Sequence, residues 1–262
     1  MFVLNVAGMI SARLGEPAVA ALARRFGPGG RCGACGSALG SGPLSVRAYR
    51  SDVGIVTLVA YHAECATSGW LDVAAEDLCR PATWAAVATC ALLWMGAPRR
   101  LRWLRGPGTQ ELSMPLLLVH PSLETARVRY VGPGEVVNAD LEDYCRLGFA
   151  ESSVLARAYP WRPVGKAWMR ASGTGISLMV MAGGQRWSAP ARPRALAGLV
   201  TVRGGILIGI TCDCDPQRLS SRSRCLNEAI AGGEVVLGWA PLSGTARVPG
   251  SRRDAAFRCR TR

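Results

Sequence analysis

Lysine is nearly missing from this chain of 262 residues: Lys166 stands alone against 30 arginines. That imbalance fits the coding bias of a high-GC bacterium first, so arginine number alone is no argument for a polyanion ligand. Acidic residues are also few, 18 against 31 basic ones, and the resulting charge of +13 favours polyanions and acidic surfaces. Histidine is scarcer still, with only His62 and His120, which leaves little for acid–base catalysis. The longest apolar run, Ala85 to Ala97, falls short of the ~20 residues a membrane-spanning helix needs. The apolar start, Met1 to Ile10, has no positive segment before it and no small-residue cleavage site after it, unlike a secretory signal. A cytoplasmic protein with reduced thiols and no membrane partner is therefore expected. The chain carries no Walker loop, dinucleotide fingerprint or Gly-x-Ser-x-Gly elbow, and no internal repeat or heptad pattern. What is present, 49% hydrophobic and 19% charged residues, is globular composition, enough for one large or two modest domains.

Against that background ten cysteines stand out, and four ligand-type residues fall in two close pairs. Cys32-Gly-Ala-Cys35 is followed, after twenty-six intervening residues, by His62-Ala-Glu-Cys65. A two-residue gap lets both thiolates of a tight knuckle reach one cation, and Gly36 suits the left-handed conformation needed just after the second ligand. A helix beginning near His62 would place residues 62 and 65 on one face. Three Cys and one His make a closed tetrahedral set, as one structural Zn2+ prefers, with no position left for a catalytic water. Knuckle, hairpin and helix-borne ligands together resemble the treble-clef zinc finger over roughly residues 30–75. The resemblance implies a fold element and no particular activity. The His-dependent nucleases built on such fingers need a further histidine beside the metal, and here His62 is already used.

Around this motif the hydrophobic periodicity predicts a helix over Glu16–Phe26 and a hairpin from Leu44–Arg50 and Ile55–Tyr61. It predicts a strongly apolar, buried helix from Pro81 to about Met95, then a basic linker ending in Gly-Pro-Gly at 106–108. Further strands are expected at Leu116–His120, Ala126–Val131, Gly165–Arg170, Ile176–Met181, Leu199–Val202, Ile206–Thr211 and Val235–Trp239. Helices are expected at Leu141–Gly148, Ser152–Ala158 and Pro216–Ala231, the last capped by Asp215 with Pro216 at its first position. The fold class predicted is α+β: an N-terminal helix plus treble-clef-like zinc module (1–80), a buried connecting helix and linker (81–108), a mixed α/β C-terminal domain (109–250) and a basic tail (251–262).

Charge is distributed unevenly. Residues 1–80 are nearly neutral and 111–151 carry a net −4, whereas 152–206 hold eight basic residues and no acid. Arg157, Arg162, Lys166, Arg170, Arg186, Arg192 and Arg194 are the candidate phosphate contacts there, and Trp161, Trp168 and Trp187 the candidate stacking platforms. The leading expectation is a non-enzymatic, zinc-stapled accessory protein that binds nucleic acid or an acidic partner through this basic region. An alternative is an enzyme at the Cys212-Asp213-Cys214-Asp215 loop, where two thiols and two carboxylates precede a helix and can serve as acid/base groups or hold a second metal. The bland reading of that loop is a helix cap with packed thiols. The remaining alternative is a protein–protein adaptor that docks through the zinc module. His120 is expected to be hydrogen-bonded or partly exposed.

Overall fold

The computed structural model describes residues 4–26, 29–74, 86–95, 112–132, 135–151, 161–173, 175–192 and 195–245. It is mostly β-sheet, 48% strand and 24% helix, arranged as a half-barrel and a nearly closed barrel. The α+β layout of helix, zinc module and mixed domain is thereby overturned. The expected linker, the helix at 152–158 and the basic tail lie outside the described residues.

The half-barrel starts with β1 (Leu4–Asn5) and two helices, α1 (Gly8–Leu14) and α2 (Glu16–Arg25). The hairpin β2 (Leu44–Ser51) and β3 (Ile55–His62) follows, then β4 (Gly69–Val73), which pairs parallel to β2. Alternating residues Val46, Ala48, Val56, Leu58 and Ala60 face a core closed by Ile10, Leu14, Leu22 and Phe26. The chain then leaves this sheet and later returns to it with β7 (Thr125–Gly132) and β8 (Glu135–Asn138), which give the order β1-β2-β3-β7-β8.

The barrel has the order β11-β10-β9-β13-β12-β6-β5. Its strands are β5 (Val87–Met95), β6 (Leu112–His120), β9 (Gly165–Ser172), β10 (Gly175–Ala182), β11 (Gln185–Pro190), β12 (Gly205–Thr211) and β13 (Val235–Thr245). The predicted apolar helix over 81–95 is corrected here. Residues 87–95 form β5, antiparallel to β6 from Val87↔His120 to Met95↔Leu112, while 81–85 lie outside the described residues. A strand buried on both faces is as uniformly apolar as a buried helix, so periodicity does not separate the two. The strand predicted at Leu199–Val202 is likewise helical, within α4 (Ala195–Arg203), whose exposed side carries Ala195, Gly198 and Val202 and so gives the sequence no polar contrast.

Helix α3 (Ala139–Arg146) begins at an Asn138 cap, whose side chain accepts from the Leu141 N–H at 3.2 Å. The single helix predicted over Pro216–Ala231 is two, α5 (Pro216–Ser221) and α6 (Ser223–Ala231), broken at Arg222 with φ −137° and ψ 95°. Strands β12 and β13 on either side of this pair run antiparallel.

The barrel interior is filled by Leu117, Val119, Leu178, Val180, Trp187, Ile206, Ile208, Ile210 and Val236, with Leu196 and Val200 of α4. Outside, Leu116, Leu118, Leu207 and Leu237 are covered by Leu219, Leu226 and Ile230 of α5 and α6. The outer face of β9, β10 and β11 has a different character, given below.

Candidate functional site

The predicted metal ligands converge. The ligand atoms of Cys32, Cys35, His62 and Cys65 all lie within 4.8 Å of one another, the only such group of three or more His, Cys, Asp or Glu among the described residues. Cys35 Sγ and Cys65 Sγ are 3.5 Å and 3.7 Å from His62 Nδ1. Ligands at ~2.3 Å (S) and ~2.0 Å (N) around a tetrahedral cation stand roughly 3.6 Å apart. The cluster is thus already at coordination spacing and can hold a metal ion.

Local folding explains the convergence. The Arg31↔Ala38 bridge closes the knuckle, and Gly36 turns it at φ +70° while its N–H donates to the Cys32 carbonyl at 2.9 Å. Gly33 N–H donates to the Ala60 carbonyl at 3.1 Å, docking the knuckle on β3. A Cβ on Gly33 would come within 2.7 Å of Val59 Cγ1 and 2.8 Å of the Tyr61 ring, so this close approach needs glycine. Spacing alone did not single out Gly33; only the docked knuckle reveals it.

The helix expected near His62 is not there. His62 ends β3, Cys65 N–H turns back to the His62 carbonyl at 3.0 Å, and strand β4 follows at Gly69. The imidazole is oriented by its other nitrogen: Nε2 lies 3.0 Å from the Ala38 carbonyl. A carbonyl only accepts, so Nε2 carries the proton and the Nδ1 lone pair faces the thiols. The backbone N–H of Ser37, then its side chain, draw the Cys35 thiol down to about 6. Cys65 goes the other way, to about 11, through desolvation and through the hydrogen bonds and charge of Cys35 and Cys32. Three thiols this close do not all ionise without a cation between them.

Compared with known protein families, curated proteins and solved structures, the chain matches none.

The basic candidates separate. Across β9, β10 and β11 the register aligns Lys166–Met181–Arg186, Trp168–Met179–Ser188 and Arg170–Ser177–Pro190. Side chains in register share a face, and Ala167, Leu178, Val180, Trp187 and Ala189 alternate inward. Lys166, Arg170 and Arg186 are exposed on the outer face and Trp168 is half-buried between them. Trp187 points into the barrel core, 5% exposed, and is not part of that face. Trp161 packs on Trp239 at 5.2 Å, over the outer apolar cluster. Arg162 and Arg192 are exposed just outside β9 and β11, whereas Arg157 and Arg194 lie outside the described residues.

The 212–215 loop is occupied with its own structure. The Asp215 carboxylate accepts from the Gln217 N–H at 2.9 Å and caps α5. Asp213 accepts from the Asn138 amide at 3.3 Å. The Cys214 thiol donates to Glu234 at 3.2 Å and, mainly through burial, is pushed up to about 12. Cys212 is fully buried and raised by that burial. Neither thiol is a ready nucleophile at neutral pH.

His120, expected to be bonded or partly exposed, is 2% exposed, and neither ring nitrogen has a partner of hydrogen-bond geometry. Burial, then the Arg25 guanidinium, hold it down to about 4. Arg25 is itself buried and paired with Asp140 at the start of α3, where Asp140 also accepts the Arg127 backbone N–H of β7. The acids of α3 thus serve as an ion-pair seam with arginines of α2 and β7.

Proposed function

We propose that the protein is a non-enzymatic, zinc-stapled binder of nucleic acid whose contact surface is the outer face of β9–β11. The observation that carries this reading is the shared face of Lys166, Arg170 and Arg186 around Trp168. No acidic residue falls in residues 161–192 to neutralise it. None of the three cations is ion-paired among the described residues. Cations with free tips beside an aromatic plane are what phosphate-tracking, base-stacking surfaces use. The enzyme alternative loses support because the 212–215 carboxylates are engaged in a helix cap and an amide bond. For the adaptor alternative, the exposed apolar side chains of the half-barrel sheet, Val53, Leu71, Val131 and Val137, lie on four different segments and are single residues of the kind any surface carries.

The metal in this reading is one structural Zn2+ held by Cys32, Cys35, Cys65 and Nδ1 of His62, with chemistry confined to scaffolding. The order knuckle, hairpin, ligand pair keeps a likeness to the treble clef, with a turn and strand in place of its helix. Binding to single- and double-stranded DNA and RNA across salt concentrations tests the function. Affinity should fall steeply with salt, and the Lys166→Ala/Arg170→Ala/Arg186→Ala variant should flatten the slope. An absence of binding at low salt would remove the proposal.

A further inference from the structure

We infer that the ligand of the β9–β11 face is specifically single-stranded nucleic acid, with one base against Trp168 and its neighbouring phosphates on the basic rows to either side. The inference rests on the nucleic-acid reading above and adds the strandedness and the stacking residue.

Its first support is spacing. Lys166, Trp168 and Arg170 alternate along one strand, so each is ~6.7 Å from the next. An extended single strand places its nucleotides roughly 6–7 Å apart, about twice the 3.4 Å of a stacked duplex strand. The two cations thus stand ~13 Å apart, two nucleotide intervals of an extended strand, so they meet phosphates two nucleotides apart while the base of the nucleotide between them reaches the indole. Arg186, in register with Lys166 through Met181, adds a second cation to one end of the row.

Its second support is shape. The flanking positions on this face, Ser177 and Ser188, are small, and Met179 and Met181 are pliant, so a base meets the indole without a wall in the way. A duplex keeps its bases stacked inside and would offer this face only phosphates, leaving Trp168 without a role. No helix crosses these three strands in the way α5 and α6 cover the outer cluster, among the described residues.

Its third support lies at the Lys166 end. A groove of about 420 Å³ runs between Pro163–Lys166 and Met181–Gly184, with Lys166 as its sole charged lining residue. Its floor is a Gly183-Gly184 turn, at φ +55° and +75°. The groove is continuous with the basic row through Lys166 and Met181, and at Gly184, where a Cβ would meet nothing within 4 Å, it presents backbone with no side chain to keep a phosphate away.

The test measures anisotropy of the full-length, zinc-loaded protein with labelled oligo-dT and oligo-rU of about a dozen nucleotides, the matching duplexes, and inorganic polyphosphate. Single strands should bind at least about tenfold tighter than duplex at equal salt. Trp168→Ala should lose about tenfold or more on single strands, in the range of a lost base–aromatic stack, with polyphosphate binding unchanged. Trp168→Phe should keep most of the affinity, which separates stacking from misfolding. Lys166→Ala/Arg186→Ala should weaken single strands and polyphosphate alike, lowering the salt slope by ~1.4. Equal affinity for duplex, or indifference to Trp168→Ala, overturns this inference and leaves the broader nucleic-acid reading standing. Failure of every polyanion to bind at low salt overturns both.

Discussion

His120 is where a single side chain sets an unusual demand on the fold. It sits at the end of β6 beside Arg25 of α2, where the backbone of Cys212 and Ser122 and the charge of Asp215 favour its proton less than burial and Arg25 oppose it. Its proton affinity is held at about 4 in the fold, against roughly 6.5 in an unfolded chain. The unfolded state therefore binds the proton more readily, and stability must fall as pH drops from 6.5 towards 4, by about 3 kcal/mol at most. Urea unfolding at pH 7 and pH 4.5 checks this. Wild type should lose stability relative to His120→Gln over that interval, a difference in which the acid lability of the metal site cancels. Parallel loss in both proteins would refute the assignment. Gly33 makes the second demand: Gly33→Ala should cost about 1–3 kcal/mol by pressing on Val59 and Tyr61 and should weaken metal affinity, read by competition with a chromogenic chelator. At this scale the ligand set was legible, because paired Cys and His spacings state which atoms must meet. The buried state of His120 and the need for Gly33 depend on neighbours far along the chain, and no local pattern carries them.

Strand and helix assignments held where one face is polar; among uniformly apolar segments they split, with Leu116–His120 and Ile206–Thr211 strands as predicted and β5 and α4 misassigned. The β2–β3 hairpin and α2 alternate clearly and matched their predicted spans closely. β5 is apolar on every side because other elements cover both its faces, and α4 carries Ala195, Gly198 and Val202 on its exposed side, so neither period shows a polar contrast. Caps did better, since a cap is a local backbone fact: Asp215 and Pro216 start α5 as predicted. That capping role makes its own forecast. Asp215→Ala should lower stability by about 1 kcal/mol while Asp215→Asn, an equally good cap, should cost little. Chemical denaturation reads both. A catalytic or metal-binding carboxylate at this position would instead show Asn failing as badly as Ala in any activity assay.

Topology across the whole chain was the least legible level. The chain builds most of the half-barrel, departs for β5 and β6, returns for β7 and β8, and only then completes the barrel. Each pairing that makes this path, β3 with β7 or β13 with β9, joins segments distant in sequence. The metal knuckle stands where those paths cross. Gly33 N–H takes the Ala60 carbonyl while the Ala60 N–H donates to Glu124, so the knuckle continues the β3 edge where β7 leaves it. A Cβ on Gly30 would come within 2.8 Å of the Leu123 carbonyl, in the turn that carries β6 into β7. Metal removal should therefore loosen the knuckle, the end of β3 and this turn together, and should spare β9–β11, which pair with no strand of the half-barrel. Hydrogen exchange before and after chelation measures this directly. Protection should drop over residues 30–40, 58–65 and 121–126 and persist over 165–190, with polyanion binding at low salt retained. Loss of binding along with the metal would mean that the ion takes part in recognition. Unchanged exchange at the knuckle would mean that these four residues hold their geometry without it, and the staple would have nothing left to fasten.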